Sequence, residues 1–392
     1  MVFYRKYRPQ KIEELDSHEV RDKLYSVLES SSVHAFLFTG PKGLGKTSTA
    51  RIVAKVINCE RKLQVKSKKL DRENANDQRL KTKDQIEPCN KCDQCISITN
   101  GTNLDILEID GASNRGIDEI RDLREKVKLS PARATKKVYI IDEVHMLTTE
   151  AFNALLKTLE EPPSHVVFIL CTTEPHKVPS TILSRCFHIQ FNKATSLELI
   201  SSFERIIKSE KLRADRQALG LIASLSDGSF RDGSKILQEL VFVARGNKLT
   251  KKLVEEKYQI SNINYQIAEM IEYLASKDTK KALDQVSILL DQGLNIGYFI
   301  QQLIQVLHNH FLYKAGVENS SKFEVLASRR SGQSSKLKLG IEETKRLIEI
   351  LAKAHSELRY AVLPQLPLEL AIVEWGMIEQ GSPRPLNDSS VL

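Results

Sequence analysis

Residues 34–58 read HAFLFTGPKGLGKTSTARIVAKVIN, and this stretch decides the fold. A strand-length apolar run, AFLF, enters a glycine-rich loop, and a helix-forming run, STARIVAKVIN, leaves it. The loop is Gly40, Pro41, Lys42, Gly43, Leu44, Gly45, Lys46 and Thr47. It fits GxxxxGK[ST] in the strand–loop–helix setting that the pattern requires. The glycines let the backbone wrap close to phosphate oxygens, with successive N–H groups turned inward as an anion nest. The helix start at Ser48 adds partial positive charge. Lys46 would reach the β- and γ-phosphates of a bound nucleotide, and the Thr47 hydroxyl would ligate Mg²⁺.

Downstream, VYIIDEVHML (138–147) carries an apolar strand inward and presents Asp142 and Glu143 at its carboxyl end. Ligands of open α/β sheets bind there. Asp142 would hold Mg²⁺, directly or through water, and Glu143 would polarise the attacking water. Solvated turn residues are the plain alternative. HAFLF (34–38), LDILEI (104–109), HVVFILC (165–171) and FHIQF (187–191) are further strand-length runs. Helical stretches separate them. Between Thr149 and Pro162, Phe152, Leu155, Leu156 and Leu159 recur at helical spacing, Thr148 or Thr149 caps the start, and Pro162-Pro163 stops the end. The alternation predicts an α/β fold, a mainly parallel five-stranded sheet with helices on both faces. After about Asn192 the strand signals cease. Helices are predicted over 195–211, 213–226 and 232–245, and again through 248–380, where Ile296, Phe299, Ile300, Leu303, Ile304 and Leu307 form an apolar stripe. The ending GSPRPLNDSSVL reads as a polar tail.

Fifty-eight Lys and Arg stand against 50 Asp and Glu in 392 residues, a net charge of +8, with 41% apolar and 28% charged side chains. This is a globular composition with room for two to three domains. No run approaches the ~18 apolar residues of a membrane span. The start, MVFYRKYRPQK, lacks the apolar core of a secretion signal, so a cytoplasmic protein is expected. The excess of base favours polyanionic partners. Six cysteines are too few for a disulfide scaffold. Cys89, Cys92 and Cys95 form CxxCxxC, and with Cys59 upstream they suit a tetrahedral, structural Zn²⁺; four reduced thiols are the alternative. Residues 60–88, between Cys59 and Cys89, are charged and poor in apolar side chains, which predicts a solvated insertion. Cys171 and Cys186 read as packing residues.

Beyond single motifs, HAFLFTGPKGLGKTSTARIVAKVINC, CNKCDQC, GASNRGIDEIRDLREKV, KVYIIDEVHMLTTEAFNALLKTLEEPP and TILSRC together resemble the gamma/tau subunits of the bacterial DNA polymerase III clamp loader, a family of AAA+ ATPases. The resemblance is dense from Tyr4 to about Arg231, and LPLELAIVEWG (366–376) is similar to the family's last collar helix. It implies an AAA+ P-loop domain over 1–192 with a zinc module at 59–95, interrupted by the basic insertion 60–88. A helical lid over 193–246, an all-α collar over 247–380 and a tail over 381–392 would follow. It implies ATP with Mg²⁺, and a zinc held by Cys59, Cys89, Cys92 and Cys95. Tyr4, Arg8 and Pro9, in YRKYRPQ, match the family's N-terminal nucleotide box. Thr173 is similar to the sensor of the γ-phosphate, Arg185 to the arginine that acts in a neighbouring subunit's site, and Arg231 to the second sensor. Arg115, Arg121 and Lys157 would face DNA.

The implied function is an ATP-driven motor subunit. It would sit in a ring with other clamp-loader subunits, open a sliding clamp and place it on primer–template DNA, which it would hold through phosphates. A non-hydrolysing scaffold subunit of the same ring, a zinc-based nucleic-acid-binding protein and another AAA+ DNA-remodelling ATPase are the rivals. The intact loop and acidic pair speak against the first, and SRC with the cysteine module against the last. The chain resembles the family's short form, without the Pro- and charge-rich extensions of the long one. Two departures stand out. LDSHEV (15–20) replaces a segment that usually reads close to VVGQEHV, and Gly233 in GSFRDG stands where Ala is usual. The second predicts a loosened helix start, by up to ~1 kcal/mol.

Overall fold

Five short strands account for the apolar runs: β1 (Ala35–Thr39), β2 (Ile106–Asp110), β3 (Lys137–Asp142), β4 (Val166–Thr172) and β5 (Phe187–Gln190). All pair in parallel in the order β2-β3-β4-β1-β5. The structure, a computed structural model, describes residues 2–30, 33–61, 86–114, 116–258, 260–316, 339–358 and 360–377. Most of the predicted insertion and the whole predicted tail lie outside them.

Every residue of β1 and β4 is buried, because helices cover both faces. One face carries Phe36, Phe38, Ile140, Ile169 and Cys171 against α2 (His18–Ser30) and α3 (Lys46–Asn58). The opposite face carries Leu37, Tyr139, Ile141, Phe168 and Leu170 against α5 (Ile117–Val127) and α6 (Thr149–Glu160). Alternation along each strand sends successive side chains to these two cores. Two shorter helices, α1 (Phe3–Lys6) and α4 (Asp93–Asn100), flank the first layer in sequence. Thr148 is the cap of α6, its side chain accepting from the Ala151 N–H at 3.3 Å. The four-residue α7 (Ser180–Leu183) precedes β5.

Three helices follow the sheet: α8 (Ser196–Ser209), α9 (Arg216–Leu225) and α10 (Phe230–Ala244). A reciprocal Thr195/Glu198 box starts α8. Gly233 lies buried where α10 meets α8 and α9: a Cβ there would stand 2.5 Å from Phe203 Cζ and 2.7 Å from Ser226 Oγ. An Ala at this position would gain helix propensity but collide with Phe203 and Ser226, so the close approach of these segments relies on the glycine.

The packing divides the chain into two compact units, Met1–Lys251 and Lys252–Leu392. Among the described residues the second holds helices and no strand, with α11 (Lys251–Lys257) at the division, then α12 (Ile260–Ser276), α13 (Thr279–Asp291), α14 (Ile296–Lys314), α15 (Ile341–Glu357) and α16 (Leu366–Met377). The stripe Phe299, Ile300, Leu303 and Leu307 is its buried face of α14. Trp375 is buried, with its indole N–H donating to the Leu274 carbonyl at 2.8 Å. No helix among the described residues is long and apolar enough to cross a membrane.

Candidate nucleotide and metal sites

Strand register brings the expected nucleotide residues to one edge. Thr39 pairs opposite Thr172, and Asp110 opposite Asp142, so Gly40, Glu143 and Thr173 all leave the sheet at the strands' carboxyl ends. The loop after β1 needs its glycines. Gly40 and Gly43 adopt φ of 139° and 84°, and a Cβ would stand 2.1 Å from the Phe191 carbonyl oxygen or 2.1 Å from Ser229 Oγ respectively. Leu44 is buried, Lys42 exposed. Lys46, only 6% exposed, turns back to donate to the Gly40 and Pro41 carbonyls at 2.6 and 2.8 Å. Burial pulls its ammonium below the ordinary range, and Glu143 is the foremost charge resisting that.

Thr47 Oγ1 donates to Asp142 Oδ2 at 2.7 Å, which joins the two groups expected to share a metal. Glu143 follows in the left-handed region, φ 47°, with its N–H on Asp142 Oδ1 at 3.0 Å. A non-glycine residue in that region is strained. The turn aims its carboxylate at β4's end, where Oε2 accepts from Thr173 Oγ1 at 3.0 Å and from the Thr173 N–H at 3.3 Å. His145, whose side chain is 5% exposed, stands 3.4 Å from Glu143 Oε2, 3.5 Å from Glu174 Oε1 and 3.0 Å from Thr172 Oγ1. Motif reading missed it; its polar ring in the otherwise apolar VHML run was the available signal. A cavity of about 320 Å³ opens beside the loop, lined by Pro41, Thr173, His188 and Lys193 among others.

Positive charge converges on the loop's other side. The Arg231 N–H donates to the Gly43 carbonyl at 3.3 Å, and its guanidinium lies 5.2 Å over the Tyr4 ring. Burial lowers the Arg8 pKa, and the Arg51 and Arg231 charges lower it further. Arg51 is held by both carboxylate oxygens of Glu108 at 2.6 Å. Tyr4, Arg8 and Arg231 thus lie near one another beside the phosphate loop, and guanidinium ions held this close suit an anion; Pro9 follows Arg8 in sequence. The departing segment LDSHEV leads into α2, and its Asp16 accepts from Arg205 of α8 at 2.6 Å.

Arg185 is not brought to this chain's own loop. Its guanidinium donates to the Thr181 carbonyl at 2.6 Å and pairs with Glu160. Lys157 is exposed on α6, Arg121 lies on α5, and Arg115 falls outside the described residues.

At the far end of α3 the four cysteine sulfurs all lie within 4.8 Å of one another. A tetrahedron with ~2.3 Å metal–sulfur bonds has edges of roughly 3.8 Å, so this donor set fits Zn²⁺. Backbone N–H groups already point at the sulfurs: Cys89 to Cys59 Sγ at 3.4 Å, Cys92 to Cys89 Sγ at 3.3 Å, Lys91 to Cys89 Sγ at 3.5 Å. Burial works against the Cys89 thiolate, yet the Lys91 and Cys92 N–H groups help bring it down to about 7. Burial pushes Cys59 and Cys95 up. Cys171 is fully buried, and burial pushes the Cys186 thiol up to about 12, in keeping with packing roles.

Residues 264–384 match the family described as DNA polymerase III subunits gamma and tau domain III, and residues 64–195 match DNA polymerase III, delta subunit. Tau of Bacillus subtilis is 38% identical over 95% of this chain, and tau of Escherichia coli 35% over 78%. The chain spans 62% and 44% of those two relatives, less than two thirds of either. Among solved structures, the Thermotoga maritima RuvB Holliday junction branch migration motor aligns with TM-score 0.46 and 19% identity over 68% of this chain and 79% of that one. A DNA polymerase III gamma subunit from Buchnera aphidicola (subsp. Acyrthosiphon pisum) is 30% identical over 95% of this chain and 97% of its own length. With a relative matched over nearly the whole length of both chains, this chain belongs to the gamma/tau subunit family of DNA polymerase III.

Proposed function

We propose that this protein is the ATP-hydrolysing subunit of a cytoplasmic clamp loader. The observation that carries the reading is the joined constellation Thr47–Asp142 and Glu143–Thr173 beside the buried Lys46. Each member has a role in phosphoryl transfer. Lys46 would exchange the Gly40 and Pro41 carbonyls for β- and γ-phosphate oxygens. Mg²⁺, held by Thr47 and Asp142, would neutralise charge on those oxygens. Glu143 would accept a proton from the attacking water, with Thr173 holding it until the γ-phosphate takes the Thr173 hydroxyl. Arg231, on the lid helix touching Gly43, would report nucleotide to the lid over 193–246.

Arg185 would serve a neighbouring subunit, since its bonds to Glu160 and Thr181 keep it off its own loop. Ring assembly through a collar over 247–380 is supported by exposed apolar side chains in the second unit, Tyr360, Val362, Leu370 and Met377 among them. Arg121 and Lys157 would face the DNA phosphates, and the four cysteines would hold a structural zinc. ATPase activity of the purified chain with its partner subunits tests the reading, with clamp and primed DNA added singly and together. The expected result is strong stimulation by the pair, lost ~10³-fold in Arg185→Ala with nucleotide binding retained. Full stimulated turnover by Arg185→Ala, or no stimulation of the wild type, would overturn it.

A further inference from the structure

Lys55, on the buried side of α3, is 1% exposed. Its ammonium donates to Gln10 Oε1 at 2.5 Å and Asn90 Oδ1 at 3.0 Å, two neutral amide oxygens. No carboxylate among the described residues forms an ion pair with it. Burying an ammonium without an anion is strongly unfavourable, and neutral acceptors satisfy its protons but not its charge. Burial pulls Lys55 below its ordinary range, and the opposite charge that most offsets this is Cys95, ahead of Glu14; Arg51 adds to the lowering. Asn90, one of its two acceptors, lies between Cys89 and Cys92, which sets the ammonium beside the cysteine knuckle. Four thiolates around one divalent cation leave two net negative charges, and a buried cation beside them answers that excess.

The partners of Lys55 have partners of their own. Asn90 sits between Cys89 and Cys92 in the left-handed region, φ 55°, and its amide donates to the Gln10 carbonyl at 3.2 Å. Glu87 accepts from the Ile12 and Glu13 N–H groups at 2.9 and 2.8 Å. The segment that follows Arg8 and Pro9 is therefore fastened to the cysteine knuckle rather than to the sheet alone.

We propose that Lys55 is the charge-balancing positioning residue of the four-cysteine centre, and that through Gln10 and Asn90 it ties metal occupancy to the N-terminal nucleotide box. The proposal rests on the reading of the four cysteines as a zinc site. Zinc enters here as a conformational ligand: with the knuckle filled, Asn90 and Lys55 hold Gln10 and so set Tyr4, Arg8 and Pro9. Linkage requires the converse, that bound nucleotide retains the metal by the same factor.

Elemental analysis of the purified wild type first tests the zinc reading alone: about one zinc per chain is expected, and none after reconstitution overturns both. Zinc release to a chromogenic chelator is then timed for wild type, Lys55→Met and Lys55→Arg, with circular dichroism as the folding control. Lys55→Met should release zinc ~10- to 100-fold faster, the usual consequence of removing a metal site's outer partner. Lys55→Arg should recover part of that. ADP should slow release from the wild type, and a fluorescent ADP analogue should bind several-fold more weakly to Lys55→Met and to zinc-stripped wild type. Gln10→Ala, which keeps the charge, should weaken the analogue yet release zinc near the wild-type rate, and it carries the test if Lys55→Met fails to fold. Wild-type release from a zinc-loaded, folded Lys55→Met, or ADP without effect on release and Gln10→Ala without effect on the analogue, would overturn the proposal while leaving the zinc reading intact.

Discussion

The two ends of α3 form a pair of contrasts. Each carries a buried lysine, Lys46 at the start and Lys55 nine positions on, and the 13-residue helix spans about 20 Å. Lys46 rests on backbone carbonyls that belong to its own loop, five and six residues away. Lys55 rests on side chains 45 and 35 residues away. The first is held by local geometry and, in the function proposed above, would change partners when a phosphate arrives. The second is held by the meeting of three segments, and it keeps its bonds only while all three stay in place. Burial of a cation would thus serve exchange at one end and fastening at the other.

The sharpest way to break the contrast is Lys46→Ala. Loss of its charged hydrogen bonds should weaken nucleotide by about 1.5–3 kcal/mol, roughly 10- to 150-fold, in a fluorescence titration. With no nucleotide present, zinc release should not change. A smaller effect is expected from Gly43→Ala, which strains the left-handed loop and drives a methyl into Ser229. A stability loss of about 1–3 kcal/mol, read from denaturant midpoints, should come with weaker nucleotide binding and unchanged zinc content. Thr148→Ala is the baseline. It removes the α6 cap and should cost ~1 kcal/mol in the same denaturant assay without moving nucleotide affinity or zinc release. Movement of both readouts in Thr148→Ala would mean that they report global stability rather than two separate ends.

The same contrast explains how much was legible in the sequence. The sheet, its strands and the gathering of Lys46, Thr47, Asp142 and Glu143 come from local patterns. Apolar runs fix strands, and a loop–helix junction or a strand end fixes the placement of the next few residues. The cysteines were legible because thiolate spacing is a local signal for three of the four. Lys55 was not, since a lysine beside Ile52, Val53 and Val56 reads as a solvated edge until Asn90 and Gln10 fold over it. His145 was hidden for the same reason, because its partners Thr172 and Glu174 come from another strand's end. For Gly233 helix propensity tells only part of the story, because Phe203 of α8 and Ser226 at the end of α9 leave no room for a Cβ.

The pairing of Arg185 with Glu160 carries a consequence for the proposed contact with a neighbouring subunit. The guanidinium does not wait loose in solvent; it is already docked, its side chain 33% exposed against 47% for the carboxylate. A pair so open to water is worth at most about 1 kcal/mol. Docking against another protomer would then swap one anion for a stronger one, a latch light enough to lift on contact and sufficient to keep the arm folded until then.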